Sequence, residues 1–234
     1  MTEFETFGTA HLITIALIFA ISIIVPLIYK NKSETHIKIL KNIIIFVLAS
    51  HLIISPFKDL YLLENPYNWK EVLPFHMCDI SEIFLIWFLL GGPRFLYLCA
   101  FFWGLAGAAM AIITPDIQYY DLDFIFFMVG HGMIIFAVLF ATIVLRNRPK
   151  LKDVGNVVLV TLFLFLPNIY LINDLLGDPA NFWYLADKPA GASLMDFFPE
   201  PPRHLFITVP ISIIFFYIIY TPYLIKDIFI KNNG

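Results

Sequence analysis

The chain has 234 residues, 60% of them hydrophobic and only 14% charged, with a mean hydropathy of +0.82. A soluble domain carries about 25% charged residues, so the composition excludes an ordinary soluble enzyme and indicates an integral membrane protein. The net charge of −3 leaves no footprint for nucleic acid, and the two cysteines, Cys78 and Cys99, form neither a disulfide framework nor a C-x-x-C motif.

A hydrocarbon core about 30 Å thick takes ~20 apolar residues per helix. Seven segments are predicted as helices: 9–29, 37–57, 74–90, 94–114, 122–145, 154–176 and 203–225. The fold class is therefore an all-α membrane protein with seven transmembrane helices, arranged as a single polytopic domain over 1–234. No internal repeat or low-complexity tract interrupts it. The opening "MTEFETFGTAH" has Glu3 and Glu5 but no base, unlike the positive n-region of a signal peptide. The first apolar run is thus expected to be a retained helix, with His11 at its start. Helix two carries His51. Helix three is the shortest and most polar, and "FHMCDISE" puts His76, Cys78, Asp79, Ser81 and Glu82 on it. Helix four carries Cys99, which reads as an inert core residue. Helix five holds His131 between Gly130 and Gly132, small residues that permit close helix approach. Helix six carries Asn168, Asn173 and Asp174. The long loop 177–202 follows, rich in aromatics and prolines. It reads as an interfacial aromatic belt, as a lid over a site, or as both. His36 and His204 read as loop or interface residues.

Charge gives the expected orientation. Lys30, Lys32, Lys38, Lys41, Arg94, Arg146, Arg148, Lys150, Lys152, Lys226 and Lys231 fall on one side, 11 of the 15 basic residues. The positive-inside rule places that side, with the C-terminus, in the cytoplasm and the N-terminus outside. At 1.5 Å per residue, Asn173 and Asp174 then lie ~4 Å deep, Cys78 ~6 Å, His51 ~9 Å, Asn168 and Glu82 ~12 Å and His131 ~13 Å from the outer surface. Ionisable groups within a bilayer face a protein interior or a wet cavity. Their convergence from five helices predicts one polar pocket open to the outside.

Cys78 near a helix N-terminus is placed where the helix dipole favours a thiolate. Ser81 and Glu82 share its face, whereas His76 pairs better with Asp79. A base for Cys78 would come from another helix, and His131 is the deepest histidine available. Such a pair would attack an acyl carbonyl and form a thioester; a small buried hydrophobe is the competing reading of Cys78. His76, Cys78, Glu82 and His131 are also zinc-ligand types, but H-x-C on one helix gives a poor shared geometry. No metal and no cofactor are expected. Phosphate loops, G-x-S-x-G elbows, H-E-x-x-H motifs and dinucleotide fingerprints are missing from the sequence.

"LPFHMCD" at 73–79, "FFMVGHG" at 126–132 and "PANFWYLADKPAGASLMDFFPEPP" at 179–202 resemble the YwaF-like bacterial integral membrane proteins. These are related to a mammalian multi-spanning acyltransferase that makes polyunsaturated ether phospholipids. The resemblance spans essentially the whole chain, departing at "PPRH", 201–204, where an aromatic pair is more usual. It implies a Cys–His acyl-transfer centre with Cys78 and His131 catalytic and His76 as the motif histidine. It also implies a multi-pass protein of the bacterial cytoplasmic membrane with a phospholipid or lysophospholipid substrate. The expected function is therefore a membrane-embedded lipid acyltransferase. His76 and Asp79 would orient groups or stabilise an oxyanion, Glu82 would stand behind Cys78 or His131, and His51, His11, Asn168 and Asn173 would support the pocket. Asn181, Tyr184, Lys188 and Ser193 would form a lid or substrate loop. A transporter or ligand-binding protein using the same cavity, and a lipid hydrolase sharing the acyl-enzyme, are the alternatives.

Overall fold

The computed structural model describes residues 2–60, 67–189 and 194–232. Seven helical rods follow one another: α1 (Thr9–Tyr29), α2 (Glu34–Ile54), α3 (Met77–Leu89), α4 (Arg94–Ile113), α5 (Leu122–Ile143), α6 (Leu151–Leu176) and α7 (Leu205–Asn232). Among the described residues no named strand forms; one isolated bridge joins Glu3 to Tyr119. Six of the rods are long and apolar enough to cross a membrane. The exception is α3, with 13 residues.

α4 and α5 form the centre. Leu96 through Trp103 are all buried, as are most residues from Met128 to Ala141. α1 and α2 pack on α5, α3 fits between α2, α4 and α5, and α6 and α7 cover α4 from the other flank. The peripheral helices turn Leu, Ile and Phe outward, among them Leu17, Phe46, Phe163 and Ile218. A hydrocarbon solvent leaves no reason to hide them. The helices are instead held by packing of small residues and by buried polar contacts. Gly130 shows how close the approach is: a Cβ there would lie 2.2 Å from the His51 ring of α2. Gly132 likewise meets Ile18 of α1.

Two rods widen into π-helical turns, α4 at Gly104–Ala108 and α6 at Thr161–Phe165. In α6 the cause is local. Pro167 has no N–H to give the carbonyl of Phe163, and its ring crowds that carbonyl, so the preceding turn opens. The two widened turns are tied together, since the Trp103 indole N–H donates to Thr161 Oγ1 at 2.9 Å. After α6 the chain reverses at Gly177, whose φ of +64° suits glycine. It then pushes Phe182 and Trp183 back into the bundle. The Asn173 carboxamide brackets the Phe182 backbone, accepting its N–H and donating to its carbonyl, both at 2.9 Å. Trp183 lies parallel to Phe165 and donates from its indole to the Phe75 carbonyl at 2.9 Å.

Candidate active site

The first turn of α3 sets the site. His76 is extended and caps the helix, and the Asp79 carboxylate accepts the His76 backbone N–H at 3.1 Å. The helix therefore starts at Met77, not at Pro74 as the sequence suggested, and Cys78 is its second residue rather than one turn in. The amides of Met77 and Cys78 have no i−4 carbonyl within the helix. The expected side-chain pairing of His76 with Asp79 is corrected: Asp79 holds the backbone. The His76 ring instead packs against Phe182 at 5.1 Å and Tyr184 at 5.9 Å.

Cys78 opens onto a cavity of about 920 Å³ that His51, His76, Asp79, His131 and Tyr184 also line. Room beside the sulfur comes from the π-helical turn of α4, where a Cβ added to Gly107 would sit 4.0 Å from Cys78 Sγ. The signal "GLAGAAM" was present in the sequence, but a widened turn has no simple periodic signature. Such turns in helices are frequent at functional sites.

Hydrogen bonding separates the histidines by role. The His131 Nδ1–H donates to the Phe127 carbonyl at 2.7 Å. A neutral ring with that proton carries its lone pair on Nε2. His51 differs. Its Nδ1 lies 3.0 Å from Glu82 Oε1, and its Nε2 lies 3.1 Å from the Phe126 carbonyl. Both nitrogens face oxygen, so neither is left to accept a thiol proton. Glu82, 2% exposed, is committed to this contact. It stands behind His51, not behind Cys78 or His131 as expected. The pair bridges α2, α3 and α5. His11 is likewise satisfied on both sides: Nδ1 accepts the Phe7 N–H at 2.9 Å, and Nε2–H donates to the Ile112 carbonyl at 2.8 Å. It ties α1 to α4 and does not line the cavity.

The two asparagines of α6 also depart from the expected pocket. Asn168 is exposed and donates back to the Leu164 carbonyl at 2.6 Å. Its depth was readable but not the direction it faces. Asn173 is the clamp on Phe182. Within the loop, the Asn181 carboxamide closes a turn on Ala186 and Asp187. Lys188 Nζ donates to the Phe198 carbonyl at 2.8 Å and pairs with Glu200 at 2.9 Å. Ser193 lies outside the described residues. Tyr184 faces the cavity, and burial pushes its phenol up to about 12, so it stays a protonated donor.

His204, expected at a loop or interface, also belongs to the cavity. It is 1% exposed and lines the cavity wall, and its Nδ1 has no hydrogen-bond partner among the described residues. The spacing His204, Thr208, Ser212 lines up the residue just before α7 with two polar residues on one face of that helix, which was the available signal. Among the described residues no three His, Cys, Asp or Glu side chains gather closely enough to hold a metal ion.

Residues 6–220 match a family model described as the TMEM164 family. No curated protein and no solved structure matches the chain.

Proposed function

We propose that this chain, which belongs to the TMEM164 family of membrane proteins, transfers acyl groups between membrane lipids through a thioester on Cys78. The observation that carries the reading is that a cysteine in the first turn of a helix and a histidine whose Nδ1–H is given to a backbone carbonyl line one cavity. The resemblance of the motifs around Cys78, His131 and the 179–202 loop to YwaF-like proteins supports it. In the orientation given by the basic residues, the N-terminus, the cavity mouth and the loop face outward in the bacterial cytoplasmic membrane.

In this mechanism His131 Nε2 takes the Cys78 proton. The sulfur attacks the acyl carbonyl of a donor phospholipid, forming a C–S bond. The carbonyl oxygen becomes an oxyanion, met by the Met77 and Cys78 amides and by the His76 ring N–H; preorganised donors of this kind are worth about 3–4 kcal/mol each. The tetrahedral centre collapses, the C–O bond breaks, and the leaving alkoxide takes the proton from His131 as lysophospholipid departs. An acceptor lysophospholipid hydroxyl then gives its proton to His131 and attacks the thioester. Cys78 leaves and recovers that proton.

The test is a purified protein in nanodiscs containing a phospholipid with a labelled acyl chain. Label on the protein, removed by neutral hydroxylamine and missing in Cys78→Ala, is expected. Added lysophospholipid discharges it into new phospholipid. Discharge to free fatty acid at the same rate without acceptor would make the protein a hydrolase. Saturable lipid binding with no protein-bound label would favour the ligand-binding or transport reading.

A further inference from the structure

The cavity does not end at the polar groups. It continues along Val158, Leu162 and Leu166 of α6 and along Val209, Ser212 and Phe216 of α7. These two helices diverge. α7 packs on the first half of α6 and on the π-helical turn of α4, but makes no comparable contact with the second half of α6, Leu166–Leu176. Ser212, although it lines the cavity, is exposed, and so is Phe215 at 36%. The cavity therefore opens sideways as well as at the loop. Ser212 stands eight residues beyond His204, about 12 Å along the helix. At that depth the opening meets hydrocarbon, not water. Its walls are mostly apolar, and a volume of about 920 Å³ is at the upper end of the ~300–1,000 Å³ that suits a well-buried ligand.

We propose that the cleft where α6 and α7 diverge, walled by Val158, Leu162 and Leu166 on one side and by Val209, Ser212 and Phe216 on the other, is a lateral portal, and that one acyl chain of a membrane glycerolipid lies in it with its ester end toward Cys78. The position of the ester rests on the acyl-transfer reading; the position of the chain rests on the cleft. A solute from water would meet the polar mouth first and gain nothing from a wall of Val, Leu and Phe. A lipid chain already in the leaflet enters without crossing water, and the aromatic block of Trp103, Phe165 and Trp183 stands beside its path.

The experiment uses the full chain in nanodiscs, as Cys78→Ala to prevent turnover, with a phosphatidylcholine carrying a diazirine midway along one acyl chain. Irradiation and peptide mass spectrometry locate the adducts. Adducts at 158–166 and 209–216, competed at least fivefold by unlabelled phospholipid, are expected. Val209→Trp should reduce them about fivefold, while short, water-soluble chloroacetamide labels Cys78 of otherwise wild-type protein within twofold of its normal rate. Adducts confined to outward residues such as Ile214 and Ile218, or no adducts on either helix, overturn the portal, whether or not Val209→Trp folds. Cleft adducts in a protein that never forms the thioester would keep the portal and sink acyl transfer. A thioester without cleft adducts would do the reverse.

Discussion

At the end of the bundle where α3 begins, polar side chains surround a cavity and several of them have nothing to bond. Cys78 Sγ, His131 Nε2 and the Tyr184 hydroxyl, all on the cavity, make no hydrogen bond among the described residues, and neither does His204 Nδ1. At the opposite end the polar side chains are also numerous, but they bond to one another. Arg94 at the start of α4 pairs with Asp153 of α6 at 3.0 Å and also donates to the Arg148 carbonyl. Arg148 pairs with Asp227 of α7 at 2.7 Å and stacks on Tyr223. The Tyr97 hydroxyl meets Thr142 at 2.8 Å and the Asn147 carbonyl at 3.2 Å. Among the buried polar atoms of the described residues, Arg148 Nε is the one left over there. A polar group left unmatched in a protein interior costs about 1–3 kcal/mol. One end uses its polar residues to fasten helices; the other also fastens helices, through His11 and the His51–Glu82 pair, but leaves Cys78, His131 Nε2 and the Tyr184 hydroxyl facing the cavity unengaged, which is the arrangement a ligand completes.

That contrast can be broken in order of effect. His131→Ala should slow thioester formation about 10²–10⁴-fold, the range of a general base, with little change in thermal unfolding. An unchanged rate would put His131 with the fasteners. Arg94→Ala leaves the Asp153 carboxylate, only 5% exposed, with the Lys150 backbone N–H and no cation, and should destabilise the protein by about 1–3 kcal/mol. The expected sign is an earlier thermal transition in detergent while chloroacetamide labelling of Cys78 in the folded fraction is preserved. A large loss of labelling without loss of stability would join the two ends functionally. Gly130→Ala forces the His51 ring from Glu82, and overpacking of this kind costs about 1–3 kcal/mol. Both unfolding temperature and Cys78 labelling should fall, since the α2–α3–α5 bridge positions both reactive helices. Asn168→Ala should change stability by less than about 0.5 kcal/mol and leave acyl transfer alone. Any substantial loss would return Asn168 to the site.

The rods were legible because bilayer thickness imposes a length that apolar runs reveal. A helical rod stands over each of the seven segments, six of them long and apolar enough to cross a membrane; the largest difference is at the end of α7, which runs to Asn232 and not to 225. The beginning of α3 was misplaced because Pro74 is as good a turn residue as a helix starter, and the Asp79 contact that fixes the true start is a side-chain detail. The gathering of His51, Cys78 and His131 about one cavity was readable from depth along the helices. Azimuth was not. Asn168 shares the depth of His131 yet faces away, and His11 and Asn173 commit their polar atoms to backbone carbonyls and amides that no sequence pattern marks. His204 escaped because its partner surface, the 177–185 turn, folds back by contacts between distant residues.

The brevity of α3 has one more consequence. Thirteen residues span ~20 Å, well short of a hydrocarbon core of ~30 Å. The missing length is made up by the turn before Met77 and by the returning loop at Phe182–Tyr184, so polar backbone reaches below the surface beside Cys78. Under the acyl-transfer reading, a lipid ester meets the sulfur while the lipid stays in its leaflet. Donor and acceptor are then reagents of a two-dimensional solution. The rate should follow their mole fractions in the bilayer and stay indifferent to dilution of the vesicles in water.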